Sequence, residues 1–245
     1  MTTRVLFVHF GDNWIRGSEQ CLIDLCVALE LDNIQCHVWC NTEVFSAALT
    51  EREIANTYSP MEIIAGYGEK RWSLLSFVRQ FRHGICLINT LRPDIVHVNG
   101  AGPNQWMLPA CAMTRTPHLV QLHSRYPSFK DRLTLGLHFC RTIVGVSKES
   151  VIDLEEDGIN NNAISIIPNG INTQRLLNIQ KANLKAEIGI DSRDKLILCV
   201  GSLITRKGQG DRIRATSHVI KKNRRIHVAL VGSGDQESNL RELTR

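Results

Sequence analysis

No Cys-x-x-Cys pair occurs in this sequence of 245 residues, although cysteine stands at positions 21, 26, 36, 40, 86, 111, 140 and 199. Cys36 and Cys40 flank Val38-Trp39 without a second ligand pair, which argues against zinc. Most of the cysteines lie in apolar runs, where a free thiol acts as a small hydrophobe. That usage suits a reducing cytoplasm. No apolar run approaches the ~18 residues of a membrane span, and the opening MTTRVLFVHFG is too short in its apolar part for a secretory leader. Membrane contact is therefore expected only at the periphery. Aromatic residues make up 6% and do not alternate with the basic ones, so nucleic acid finds no stacking platform. Internal repeats and low-complexity tracts are missing, and so is the spacing G-x-G-x-x-G of a dinucleotide fingerprint.

Hydrophobic residues make up 43%, enough for one large core or two modest ones. The net charge of +5 is unevenly placed. Residues 195–245 hold eleven Lys/Arg against four Asp/Glu, a local +7, and the rest of the chain is slightly acidic. A basic surplus in one segment suggests an anionic partner. For Lys221, Lys222, Arg224 and Arg225 a solvated helix face serves equally well.

Short β-rich runs alternate with helical patterns. Strands are predicted at 5–9, 36–40, 61–65, 95–98, 118–122, 142–146 and 164–167, and helices at 19–31, 44–55, 72–91, 105–113 and 148–157. Leu22, Leu25, Cys26 and Leu29 show the helical spacing, and the helix before Arg92-Pro93 stops because the residue ahead of proline avoids the α region. A β-α-β-α series implies a parallel sheet covered on both faces, with ligands at the carboxyl ends of its strands. This gives a first domain over 1–178. A polar connector follows at 179–194, and a new β-α-β opens a second domain at 195–245 (strands 196–200 and 226–231). One β-α-β and the start of a helix cannot cover their own sheet, so about 100 further residues are expected for that domain.

Four strand ends carry the polar and glycine residues of interest. In FGDNWIRGSEQ, Gly17 leads into a helix whose first N–H groups favour an anion, although a Ser-capped helix alone explains the pattern. In VQLHSRY, His123 follows a strand and can meet a sugar hydroxyl or a phosphate oxygen. In IVGVSKES, Ser147 reads as a helix cap. In VGSLITRKG and VALVGSGDQE, Arg206, Lys207, Gly232 and Gly234 follow two adjacent strands; lysine and arginine suit a diphosphate.

Taken in order, RGSEQ, PDIVHVNG, the His123 strand end, GVSKES, IPNGIN, VGSLITRKG and ALVGSGDQESNLREL resemble the retaining glycosyltransferases of GT-B fold, family 4. The resemblance runs through nearly the whole chain. It implies an α/β GT-B-like fold: a complete amino-terminal Rossmann-like parallel sheet domain on the acceptor side, then the first β-α-β of a second, nucleotide-sugar-binding domain. It implies transfer of a sugar from a nucleoside diphosphate donor to a saccharide or lipid-linked acceptor hydroxyl with retention, for cell-surface polysaccharide or glycolipid synthesis. No cofactor or metal is implied. By resemblance His123 lies near the transferred sugar, Gly17 and Lys207 approach the donor phosphates, Asn169-Gly170 leads to the hinge, and Gly232 and Gly234 form the nucleotide-side turn.

Three departures stand out. Arg16 replaces the first glycine of a usual pair. Ser202 stands where the family places a diphosphate-binding arginine, a role Arg206 could take. Arg212 replaces a buried leucine, which weakens the packing of its helix. The family's paired glutamates are expected later than residue 245; Glu43 and Glu51 have their spacing by chance. The alternative reading is a truncated, inactive fragment that is at most a weak binding module. A third reading places the segment EKRWSLLSFVRQFRH on the inner face of a membrane through Trp72, Leu75, Phe77 and Phe81 with Arg71, Arg79 and Arg82. Packing of that helix on the sheet accounts for its apolar face and is preferred.

Overall fold

A computed structural model describes residues 2–64, 73–173, 177, 179, 180 and 182–244. The chain divides into two compact units, residues 1–174 and 175–245, and residues 179–194 fall in the second.

The first unit is a seven-stranded parallel sheet. Its strands are β1 (Arg4–His9), β2 (Gln35–Cys40), β3 (Ala55–Tyr58), β4 (Ile95–Asn99), β5 (His118–Leu122), β6 (Ile143–Gly145) and β7 (Ile164–Ile166). They lie in the order β3-β2-β1-β4-β5-β6-β7. The helices are α1 (Gly17–Leu31), α2 (Glu43–Glu51), α3 (Leu74–Leu91), α4 (Asn104–Thr114), α5 (Phe129–Thr134) and α6 (Ile152–Glu156). Successive side chains of a strand point to opposite faces. In β1, Val5 and Phe7 enter a core with Leu22, Cys26 and Phe45 of α1 and α2. Leu6 and Val8 enter the opposite core with Trp106, Met107 and Ile88 of α3 and α4. Both faces are thus covered, which is why β1 and β4 read as near-continuous apolar runs. Each such buried side chain contributes roughly 1.5–3 kcal/mol.

The third strand differs from expectation. The sequence pattern extends a helix through residue 55 and puts a strand at 61–65. Instead α2 ends at Glu51, Glu53 turns the chain with φ 59°, and Ala55–Tyr58 pairs with β2. Ile54, 1% exposed, mimics a continuing helix face. The described part of the 61–65 run is a loop. Met61 and Ile64 are buried, but side-chain amides take the place of a neighbouring strand. Gln80 bonds both the N–H and the carbonyl of Glu62, and Gln105 Oε1 accepts from the Ile64 N–H at 2.9 Å.

The expected helix over 148–157 is broken. A 3-10 turn, Lys148–Ser150, precedes α6, and Ser150 Oγ donates to the Ser147 carbonyl at 2.7 Å. Ser147 does sit at the capping position of that turn. In α3, Phe77 and Phe81 pack on the core, as the sheet-packing reading requires, whereas Leu75 is 85% exposed. Arg71 and Trp72 lie outside the described residues. No helix among those described is long and apolar enough to cross a membrane.

The second unit holds α7 (Leu184–Glu187), β8 (Lys195–Val200), α8 (Gln209–Ile220), β9 (Ile226–Val231) and α9 (Glu237–Leu243). The strands β8 and β9 form a two-stranded parallel sheet. Ile197, Leu198, Val200 and Val231 are 46–71% exposed. Arg212 is itself exposed, and its guanidinium bonds Cys199 Sγ.

Candidate functional site

Strand order reverses between β1 and β4, and ligands of such sheets sit at the carboxyl ends beside the reversal. His9 ends β1 and is paired in register with Asn99, which ends β4. Both are buried, at 3% and 2% exposure. His123, half-buried, follows β5 on the far side of Asn99.

The polar groups form one hydrogen-bonded chain. Glu19 Oε1 lies 3.0 Å from His9 Nε2. His9 Nδ1 lies 2.9 Å from Asn99 Nδ2 and 3.1 Å from the Asn99 main-chain oxygen. Asn99 Oδ1 lies 2.7 Å from His123 Nε2. The other carboxylate oxygen of Glu19 accepts the Arg16 N–H at 3.0 Å and the Ser18 hydroxyl at 2.9 Å. Glu19 therefore closes the first turn of α1 and anchors the cluster together. Burial raises its pKa, but the His9 hydrogen bond, with the N–H and hydroxyl donors, outweighs this and brings it to about 2. Gly11 makes the arrangement possible, because a Cβ there would overlap Glu19 Oε1 and stand 2.8 Å from His9 Nε2.

Burial, reinforced by the nearby His9 and partly offset by Glu19, lowers the His123 pKa to about 4. The ring is uncharged at neutral pH. It can meet a hydroxyl through either ring nitrogen, and a phosphate oxygen only through an N–H and without a positive charge. A parallel chain runs from His97 Nε2 to Gln121 Oε1, 2.9 Å, and from Gln121 Nε2 to Asn169 Oδ1, 3.4 Å.

Of the residues singled out in the sequence, Gly17 and His123 belong to this edge of the first unit. Gly17 is the first residue of α1, exposed, with nothing within 4 Å of a Cβ built on it. The others belong to the second unit. Arg206 and Lys207 occupy a 3-10 turn, Thr205–Lys207, just after β8. Both are exposed and neither carries an ion pair among the described residues. Gly232, at φ 150°, follows β9 so closely that a Cβ would strike the Gly201 carbonyl; at Gly234 it would strike the Leu203 carbonyl. The two glycines let the loops after β8 and β9 touch backbone to backbone.

Sequence reasoning missed His9, Glu19 and Asn99 as site residues. The available signal was their placement: His9 and Asn99 each end an apolar run, and Glu19 stands three residues after the helix cap. Among the described residues no three His, Cys, Asp or Glu side chains group to hold a metal ion. The cysteines are all free, and burial pushes the Cys40 thiol up to about 11 and Cys111 to about 12.

A reversed-order parallel sheet, a buried polar cluster at its switch point and a following β-α-β define a doubly wound α/β protein of GT-B type. The profile of glycosyltransferase family 4 matches residues 15–175, and the chain belongs to that family. Among solved structures it is similar to Anabaena Alr3699/HepE, crystallised with UDP, at 17% identity and TM-score 0.76 over 98% of this chain. It is similar to a glycosyltransferase from Rickettsia africae at 16% identity and TM-score 0.77 over 99%. The lipopolysaccharide outer core galactosyltransferase WaaB gives 15% identity and TM-score 0.67 over 99%. The chain spans 64% of the length of each. No curated protein matches the sequence.

Proposed function

We propose that this chain carries the acceptor-side domain and the donor-diphosphate edge of a retaining, nucleotide-sugar-dependent glycosyltransferase. The single observation that carries the reading is the His9–Asn99–His123 cluster at the strand-order reversal of a family 4 sheet. His123, uncharged, steadies the sugar through a hydroxyl. Gly17 lets the donor approach the start of α1. Lys207 and Arg206 stand just after a strand, without an ion pair among the described residues, and suit the charge that grows on a leaving diphosphate. The glycines at 232 and 234 shape the turn beside the nucleotide. The acceptor is a saccharide or lipid-linked hydroxyl compound, with synthesis of cell-surface polysaccharide or glycolipid as the setting.

UDP and UDP-glucose, both ligands of HepE crystals, are the first probes. Isothermal titration of the 245-residue chain with UDP is expected to show weak binding that Lys207→Ala weakens about tenfold, the loss of one charge-assisted contact. Equal affinity in the variant would remove the diphosphate cradle from the reading. A second reading is a binding module without turnover. Release of UDP from UDP-glucose in the presence of acceptor glycans separates the two.

A further inference from the structure

The switch-point cluster has a direction. A carboxylate only accepts hydrogen bonds, so His9 Nε2, 3.0 Å from Glu19 Oε1, carries a proton. The other ring nitrogen, Nδ1, is assigned its lone pair by the group that faces it. Its nearest neighbour is the Asn99 amide nitrogen at 2.9 Å, a donor. With that NH2 group turned to His9, Asn99 presents Oδ1 to His123 Nε2 at 2.7 Å. An amide oxygen facing a ring nitrogen requires N–H there. Each group removes a choice from the next, and the chain ends on a His123 protonated at Nε2 with its lone pair on Nδ1. Among the described residues nothing bonds that Nδ1.

The geometry points to Glu19, His9 and Asn99 as positioning residues that hold His123 in the Nε2–H tautomer, so that Nδ1 accepts a hydrogen bond from a hydroxyl of the bound sugar. The identity of that ligand rests on the functional reading above; the tautomer does not. Three features make the control firm. Glu19, His9 and Asn99 are only 2–3% exposed, so water does not replace their partners. Glu19 is fixed at its second oxygen by Arg16 N–H and Ser18 Oγ. The bare Cα of Gly11 seals the Glu19–His9 contact.

An opposite register exists on the same atoms. His9 Nδ1 also stands 3.1 Å from the Asn99 main-chain oxygen. Using that bond needs a proton on Nδ1, which would repel the amide NH2, reverse the Asn99 side chain and leave His123 with N–H on Nδ1. The ring would then offer the ligand a donor in place of an acceptor. An accepting Nδ1 selects for a sugar hydroxyl and against a carbonyl or phosphate oxygen at the same place.

The test is two-bond proton–nitrogen NMR of the full chain with ¹⁵N-labelled histidine, His123→Gln and His9→Gln assigning the two rings. The expected spectrum has both rings protonated at Nε2 and bare at Nδ1. In Glu19→Gln, whose amide donates as well as accepts, both rings are expected to become tautomer mixtures, although Glu19 makes no hydrogen bond to His123. A parent His123 protonated at Nδ1 overturns the proposal. So does a His123 pattern unmoved in Glu19→Gln while that of His9 changes. The parent spectrum decides on its own if the buried substitution impairs folding. Failure to bind UDP-sugars with the tautomer as expected would sink the functional reading and leave the positioning chain intact.

Discussion

His9 and Asn99 close adjacent parallel strands in register and bond each other through side chains at 2.9 Å, although ninety residues separate them in sequence. The bond lies at the one place in the sheet where strand order reverses, so a topological feature and a chemical one coincide.

Gly11 and Gly17 flank the same loop but do different things. Gly11→Ala forces a methyl into Glu19 and His9, and the chain is expected to lose about 1–3 kcal/mol in urea unfolding. Gly17→Ala meets no neighbour and is expected to change stability by less than about 0.5 kcal/mol while weakening UDP-glucose binding. Equal stability losses in the two variants would contradict this assignment.

Acid sensitivity should trace to Glu19. Its hydrogen bonds hold the carboxyl down to about 2 in the folded chain, against 4.5 for a free glutamate. A depressed carboxylate stabilises fully above the unfolded value, and that contribution fades as pH falls from about 4.5 toward 2. The amount is about 3 kcal/mol. Chemical unfolding from pH 6 to 3 should show a drop in the parent that Glu19→Gln reduces, the remainder belonging to Asp153 and Asp157, whose carboxyls Arg125 and Arg132 also hold down.

A second ion pair joins α5 to the residue that follows α6. Arg132, 5% exposed, donates to both oxygens of Asp157 at 2.6 and 2.7 Å, and His138 Nε2 lies 2.8 Å from Asp157 Oδ2. Asp157→Asn leaves a buried guanidinium facing a neutral amide. A loss of roughly 3 kcal/mol is expected by urea titration; a change under about 0.5 kcal/mol would show that the pair is dispensable.

In the second unit the cations and the glycines should separate cleanly. Arg206→Ala and Lys207→Ala alter exposed side chains without ion pairs among the described residues, and the unfolding midpoint should stay put. Gly232→Ala drives a methyl against the Gly201 carbonyl at a φ of 150° and should lower the stability of this unit by about 1–3 kcal/mol. Backbone amide exchange in β8 and β9 reports both.

The alternation of strands and helices was legible because β1, β4 and β5 are short apolar runs ended by polar residues, and α1 has helical spacing. The third strand was not. Ala55–Tyr58 is brief and polar and lies at the sheet edge, where propensity says little. The described part of the richer apolar run after it is a loop whose hydrogen bonds come from Gln80 and Gln105, distant in sequence. The same non-locality hid most of the site. His123 could be placed from one strand end, but His9, Glu19 and Asn99 mean something only together, and strand order is not written in any one segment.

The separation of His9 from Asn99 sets a schedule for assembly. During synthesis β1 and β2 leave the ribosome early and can pair at short range, whereas β1 gains its second neighbour only after residue 99 has emerged. Long-range parallel pairing is slow because the intervening loop must close first. A nascent chain arrested before β4 therefore holds Glu19 and His9 but lacks the amide that connects them to His123.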